Sequence, residues 1–293
     1  MIGNSLSRKL FITFNYIFLA LLALLCIVPI INVLAVSFSS SAAASAGLVK
    51  LWPVDFTLRS YQYILTKPDF FQALVISLER VALGTPLNLF LGLIIAYPLS
   101  QKKEKFRYRT VYVWFFVITM LFGGGLIPEY IVVKNTGIMD TLWALILPHA
   151  VDVFNVVLIL NFFRTIPAEL EESAFIDGAS HWTTLWRIYV PLSLAVIATI
   201  TIFSVVSHWN AWFDGLIYMN NPEHYPVSTY LQNMLASINL SSVDFTQAQD
   251  LTEVSDRTAK SAQIFVAAFP ILLLYPFLQR HFVKGMLLGS VKG

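Results

Sequence analysis

Three stretches of this sequence carry residues that could do chemistry. The first, EESAFIDGAS at 171–180, sets Glu172 and Asp177 among the small residues Ser173, Ala174, Gly178 and Ala179. Carboxylates beside small side chains let another backbone approach closely and be held by charge, which is docking chemistry. The second, HWNAWFDG at 208–215, alternates His208, Asn210 and Asp214 with Trp209, Trp212 and Phe213. Rings beside amide and carboxylate groups suit a hydroxyl-rich ligand that stacks one face and hydrogen-bonds at its rim; a membrane-interface aromatic belt has the same composition. The third, PHAVDVFN at 148–155, places His149 and Asn155 three residues either side of Asp152.

Beyond these, the sequence is poor in reactive sets. The five histidines (149, 181, 208, 224 and 281) show no metal-ligand spacing. Gly123-Gly124-Gly125 is followed by LIPEY and lacks the lysine of a phosphate-binding loop. Cys26 alone forms no internal disulfide and no Cys cluster, and its place in an apolar run suits a small buried hydrophobe.

The elements that must position these residues are membrane helices. The 293 residues are 57% hydrophobic and 12% charged, where soluble domains carry about 25% charged residues. A net charge of +2 is too small to suggest nucleic acid or another polyanion as a partner. Crossing the hydrocarbon core takes about 20 apolar residues, and six segments qualify: 11–36, 74–99, 110–128, 141–163, 192–217 and 260–280. The run Phe11–Val36 is too long for a cleaved leader, whose core is about 7–15 residues, so it is expected to remain as the first span. The SSSAAASAG stretch after it is expected to be flexible external chain. Glu79 and Arg80 are expected at the outer end of the second span, at the headgroups, with Val81–Leu99 as its apolar part. Gly123–Gly125 either allows tight helix contact or breaks the third span before Pro128.

Lys102, Lys103, Lys105, Arg107 and Arg109 mark a cytoplasmic connection, and Arg8, Lys9, Arg280, Lys284 and Lys292 agree. Both termini then lie inside, as an even number of spans requires. The organisation is a cytoplasmic N-terminus at 1–10, the first helix and outer loop at 11–70, a five-helix core at 71–281 and a cytoplasmic tail at 282–293. Residues 164–191 face the cytoplasm, and the acidic connection 218–259 faces outward.

Asp152 falls near the middle of the fourth span, where a carboxylate costs about 2.5–3.5 kcal/mol and so faces protein or water. Two readings stand: a buried His149–Asp152 pair joining helices, or a polar lining for a hydroxyl-rich solute, with Pro148 opening the backbone ladder. Asn88 and Gln263 suit helix-to-helix hydrogen bonds. YPVSTYLQNMLASI predicts an amphipathic helix with Val227, Tyr230, Leu231, Met234 and Leu235 on one side, and SSVDFTQAQDLTEVSD reads as flexible.

The cytoplasmic stretch predicts two short helices hinged at Asp177-Gly178. Pro167 and the acids Glu169, Glu171 and Glu172 suit a helix start. Leu170, Ala174 and Phe175 form an apolar edge, and Gly178 supplies a left-handed stop. Ser180 caps a second helix with Trp182, Leu185, Trp186 and Tyr189 on one face, and Pro191 leads into the fifth span. An interfacial turn with its aromatics in the headgroups is the alternative.

The order Glu172-Ser173-Ala174, three residues, Gly178, nine residues, Ile188, one residue, Val190-Pro191 is similar to the cytoplasmic loop of ABC importer permeases. There it runs Glu-Ala-Ala, three, Gly, nine, Ile, one, Leu-Pro; this chain departs by Ser173 and Val190. NFFRTIPAELEESAFIDGAS, HWNAWF and YPFLQRHFVKGMLLGSVKG resemble the smaller permease of maltose-type sugar importers, most of all those serving pectin or alginate fragments. The likeness covers nearly the whole chain and is weakest at 39–70 and 237–258.

The resemblance implies an all-α, six-helix, type I importer permease with a cytoplasmic coupling helix, in a bacterial cytoplasmic membrane. It implies a second homologous permease, a cytoplasmic ATPase dimer that alone holds ATP and Mg, an external solute-binding protein facing the 218–259 loop, and an oligosaccharide substrate. It assigns Glu172 to ionic contact with the ATPase and Ser173, Ala174 and Gly178 to close packing, and it sends the 284–293 tail toward the ATPase. The chain would bind no cofactor and be no enzyme. The rival readings are an ion-coupled transporter using Asp152 as proton carrier, a membrane-bound enzyme, and an importer permease for amino acids or peptides.

Overall fold

The computed structural model describes residues 6–241 and 257–273, and among these every regular element is helical. The acid-rich 242–256, the end of the sixth expected span at 274–280 and the tail 282–293 lie outside the described residues, as do Arg280, Lys284 and Lys292. Among the described residues, two helices are long and apolar enough to cross a membrane, or up to five if each of three bent helix pairs is one span.

The chain divides into two compact units, one of residues 1–70 with 235–269 and one of 71–234 with 270–293. In the first, helix α1 (Leu6–Ser37) turns its apolar side chains outward along most of its length. The Ala/Ser stretch beyond it is folded, contrary to the flexible chain expected. Ser40 caps a short helix, Ser41–Ser45. The Ser39 hydroxyl donates to the Ala35 carbonyl at 2.7 Å and accepts from Val54 N–H at 3.0 Å. Ala35, Val36, Ala43, Ala44 and Val49 bury one another. Small side chains read as flexible in sequence because each contributes little burial alone; here they are small so that two backbones can meet. Residues 257–273 are helical, Gln263 among them is buried, and Arg257 donates to the Ala44 carbonyl at 3.1 Å.

In the second unit, α2 (Pro68–Ser100) is a 33-residue helix that passes through Pro86 and Pro98. It starts six residues ahead of the expected span, which carries Arg80 inside rather than to the headgroups. α3 (Arg109–Leu121) ends at the glycines, and Gly125, at φ +85°, begins α4 (Leu126–Asn135) after a 110° change of direction. The glycines therefore break the helix of the expected third span, as the second of their two readings has it. The fourth span is also broken. A short helix, Leu142–Ile146, passes through a tight turn at Leu147–His149 into α5 (Val153–Phe163), bent by 47°. Pro148 sits in that turn, where its missing N–H leaves no gap in a helix ladder.

The core of this unit packs Leu93, Ala96, Tyr97 and Leu99 of α2 against Val156, Ile159, Leu160 and Phe163 of α5, with Leu185, Tyr189 and Ile200 closing it. α6 (Ala168–Ile176) and, as predicted, a second helical segment at 181–192 lead into α7 (Leu194–Asn210) with an 84° bend. α7 stops at Asn210 rather than 217, and a separate short helix, α8 (Phe213–Tyr218), follows. α9 (Val227–Ser241) buries Val227 and half-buries Tyr230, Leu231 and Met234 as its spacing predicts, but Leu235 is exposed. Thr229 is buried in addition, because Gly215 leaves room that any Cβ would fill.

Candidate functional site

The first site is the elbow at 164–192. Pro167 is the N-cap of α6 rather than part of its first turn, and Glu169 and Glu171 occupy that turn. The helix ends in a Schellman motif: Ala179 N–H reaches the Ala174 carbonyl at 2.9 Å and Gly178 N–H the Phe175 carbonyl at 3.1 Å. Gly178 is left-handed at φ +83° with open space around it. Ser180 then caps the next turn through Thr183 N–H at 3.2 Å.

Glu172, Ser173, Asp177 and Gly178 are exposed, and Ala174 and Ala179 are half-buried. Ile176, four residues from Glu172 and on the same face, is 86% exposed. Its spacing from Glu172 was the available signal. The two readings of the aromatic face divide: Leu185 and Tyr189 are buried, Trp186 is half-buried against Phe90, and Trp182 is exposed. The expected apolar edge also divides, with Leu170 exposed and Phe175 tucked beneath Lys105 and beside His181. Glu171 does not join the acids of the outer face, because it is buried.

The second site is a cavity of about 630 Å³ between α2, the end of α3, the 148–155 break and the 204–214 segment. His149, Asp152, Asn155, His208, Asn210 and Trp212 all line it. Trp209 does not; it is buried in packing, and its ring is lost to any ligand. Of the two readings of this stretch, the one with a His149–Asp152 pair is not what the side chains form. Asp152 instead caps α5, accepting from Phe154 N–H at 2.9 Å, Asn155 N–H at 3.3 Å and the Asn155 amide at 2.9 Å. A helix start inside the break offers N–H groups with no other partner, and the nearest carboxylate takes them. The exposed His149 stands 3.8 Å from the half-buried Glu129.

Asn88 joins three segments. Its amide donates to the His149 and Ala150 carbonyls at 2.8 and 2.9 Å, and its oxygen faces the Ser204 hydroxyl at 2.9 Å and His208 Nε2 at 2.6 Å. His208 packs on Gly84, where a Cβ would lie 2.5 Å from the ring.

Arg80, only 1% exposed, also lines the cavity, which corrects its expected place at the headgroups. Its guanidinium makes a two-pronged pair with the Asp214 carboxylate and donates to the carbonyls of Leu145 at 3.1 Å and Ala211 at 3.3 Å. Arg80, Gly84 and Asn88 recur every four residues, one stripe of a helix. That stripe was the readable signal, hidden by counting only Val81–Leu99 as the apolar part of the span.

Away from the spans, Asp140 accepts from His224 Nδ1 at 2.9 Å and from Asn220 and Asn221 N–H at 3.0 and 3.3 Å. The His224 hydrogen bond, helped by the two backbone donors and opposed by partial burial, holds its carboxyl below the ordinary value. Among the described residues no group of three His, Cys, Asp or Glu could hold a metal.

The elbow presents charge and a bare aliphatic outward, and the cavity presents a polar wall inward, so the pair suits a channel moved from outside. Comparison with known proteins agrees. Residues 88–288 match the family model of the binding-protein-dependent transport system inner membrane component. The Bacillus subtilis polygalacturonan/rhamnogalacturonan transport system permease protein YtcP is 38% identical over 98% of this chain and all of its own length. Protein LplC of the same organism is 39% identical over 99% of this chain and 97% of its own. A chain in the crystal structure of a bacterial ABC transporter involved in the import of the acidic polysaccharide alginate superposes with a TM-score of 0.88 at 30% identity, covering 96% of this chain and all of that one. The chain therefore belongs to the inner membrane component family of binding-protein-dependent transport systems, with the type I ABC importer permease fold.

Proposed function

We propose that this permease forms half of the translocation route of an ATP-driven oligosaccharide importer and takes its power stroke through the 164–192 elbow. In this reading the chain has six spans with both termini in the cytoplasm. A second, homologous permease completes the route in the lipid bilayer, and a solute-binding protein delivers the sugar from outside. ATP and Mg belong to a cytoplasmic ATPase dimer, in a cleft of which α6 docks. Glu172 makes the ionic contact, with Ser173, Ala174, Asp177, Gly178 and Ala179 as the close-packed surface. The cavity wall of His149, Asp152, Asn155, His208, Asn210 and Trp212 lines the route. The relatives' names and the neighbour's alginate point to acidic oligosaccharides as the substrate class.

The observation that carries the reading is the elbow itself, a helix ended sharply at Gly178 with Glu172, Ile176 and Asp177 turned to solvent. An aliphatic as exposed as Ile176, flanked by exposed acids, is available to a partner. The test uses the assembled complex in proteoliposomes. Glu172→Lys and Gly178→Asp are expected to leave insertion intact while ATP hydrolysis no longer drives uptake. Normal uptake by both variants sinks the docking assignment.

The rival with Asp152 as proton carrier is opposed by its geometry, because the carboxylate is held by two backbone N–H groups and an amide. The chain alone in liposomes under a proton gradient discriminates: sugar uptake there favours the rival.

A further inference from the structure

We infer that Glu171 is the positioning residue that makes the docking helix and the membrane bundle one rigid body. The two adjacent glutamates of α6 have opposite fates. Glu172 faces solvent, whereas Glu171 is 3% exposed. Its Oε2 accepts from Lys105 Nζ at 3.1 Å and lies 3.3 Å from the Tyr189 hydroxyl, and its Oε1 lies 3.3 Å from the Tyr97 hydroxyl. The donors come from three separate segments: the last turn of α2, the basic connection 101–108 and the turn 185–189 ahead of α7. The knot extends further. Tyr97 also meets His181 Nδ1 at 3.1 Å, and Lys105 covers the Phe175 ring at 5.3 Å.

A carboxylate is costly to bury without partners. One cation and two hydroxyls satisfy it here, and each donor is anchored in a different element. Backbone alone joins α6 to the rest through Pro167 at one end and the left-handed Gly178 at the other. A load applied at Glu172 would turn a helix held only by those two joints. With Glu171 clamped, the same load passes to α2 and to the root of α7, the elements that wall the cavity. Lys105 thereby has a mechanical role beyond setting orientation. The inference rests on the reading that α6 docks on the ATPase.

The experiment uses the full complex with a spin-label pair at Glu169→Cys and Thr110→Cys in a Cys26→Ser background. Glu171→Ala is expected to keep the ATPase bound, to lower uptake per ATP hydrolysed on the order of tenfold, and to broaden the label-to-label distance. Lys105→Met is expected to do the same to a smaller degree, and the double variant to add little to Glu171→Ala. If Glu171→Ala fails to assemble, Glu171→Gln and Tyr189→Phe carry the same readouts. A narrow distance with lost uptake, or a broad one with normal uptake, overturns the inference. Should Glu172→Lys uncouple while the Glu171 variants transport normally, this inference alone fails. Should neither uncouple, the docking reading fails first.

Discussion

The elbow at 164–192 and the break at 147–155 begin from similar material. The break interrupts one apolar stretch and the elbow joins two apolar helices, and both contain proline, histidine and carboxylate side chains. They spend their polar groups in opposite ways. In the break, Asp152 caps its own helix, Asn88 ties the loop carbonyls to α7, and Arg80 is matched by Asp214. In the elbow, one acid, Glu171, is consumed internally, and Glu172, Ser173, Ile176 and Asp177 are left to solvent. The difference teaches how to separate a wall from a handle. A wall must satisfy its polar groups whether or not a ligand is present, whereas a handle keeps them for a partner. Stability should therefore suffer at the wall and coupling at the elbow.

The largest stability loss is expected from Asp214→Ala, which strands the Arg80 guanidinium in the interior. Removing one partner of a buried pair costs about 3–5 kcal/mol. Thermal unfolding of the detergent-purified complex measures it, and Arg80→Leu with Asp214→Leu should recover much of the loss. An unchanged midpoint for Asp214→Ala would mean that the wall does not depend on its charge pair.

Next comes Gly84→Ala. The new methyl group meets the His208 ring, and overpacking of this kind costs about 1–3 kcal/mol. His208→Ala in the same chain should relieve the clash, which a mere loss of helix flexibility would not predict. At the elbow, Gly178→Ala places a side chain in a left-handed backbone with open space around it, so only the conformational penalty of about 1–2 kcal/mol remains. It should lower the thermal midpoint by less than Gly84→Ala. A larger drop would mean that the elbow is packed as tightly as the wall.

The smallest effect belongs to Asp140. Its carboxyl is lowered by His224, so its contribution is present above the ordinary value of 3.8 and is lost as pH falls through the lower folded value. The midpoint difference between the protein and its Asp140→Asn variant should therefore shrink on acidification below that value. A difference that grows there would reverse the assigned sign.

Much of the fold was legible because its signals are local. Pro148, Gly125, Gly178 and Ser180 act through the stereochemistry of their own backbone, and the breaks and caps they set stand where the residue types put them. Apolar length marked the helices for the same reason. The Ala/Ser stretch after α1 was misread because small residues look alike whether they are loose or packed against a neighbouring backbone.

The sequence by itself determined that the chain is helical and membrane-borne and that it carries an acid-and-glycine elbow, since hydropathy, charge and chirality act residue by residue. Only the tertiary structure decided which charges are spent. Arg80 and Asp214 lie 134 positions apart, and Glu171 and Lys105 lie 66 apart. Hydropathy gives the length of a helix and not which side of it meets lipid, protein or water. One residue, about 100° of helix rotation, separates the buried Glu171 from the exposed Glu172.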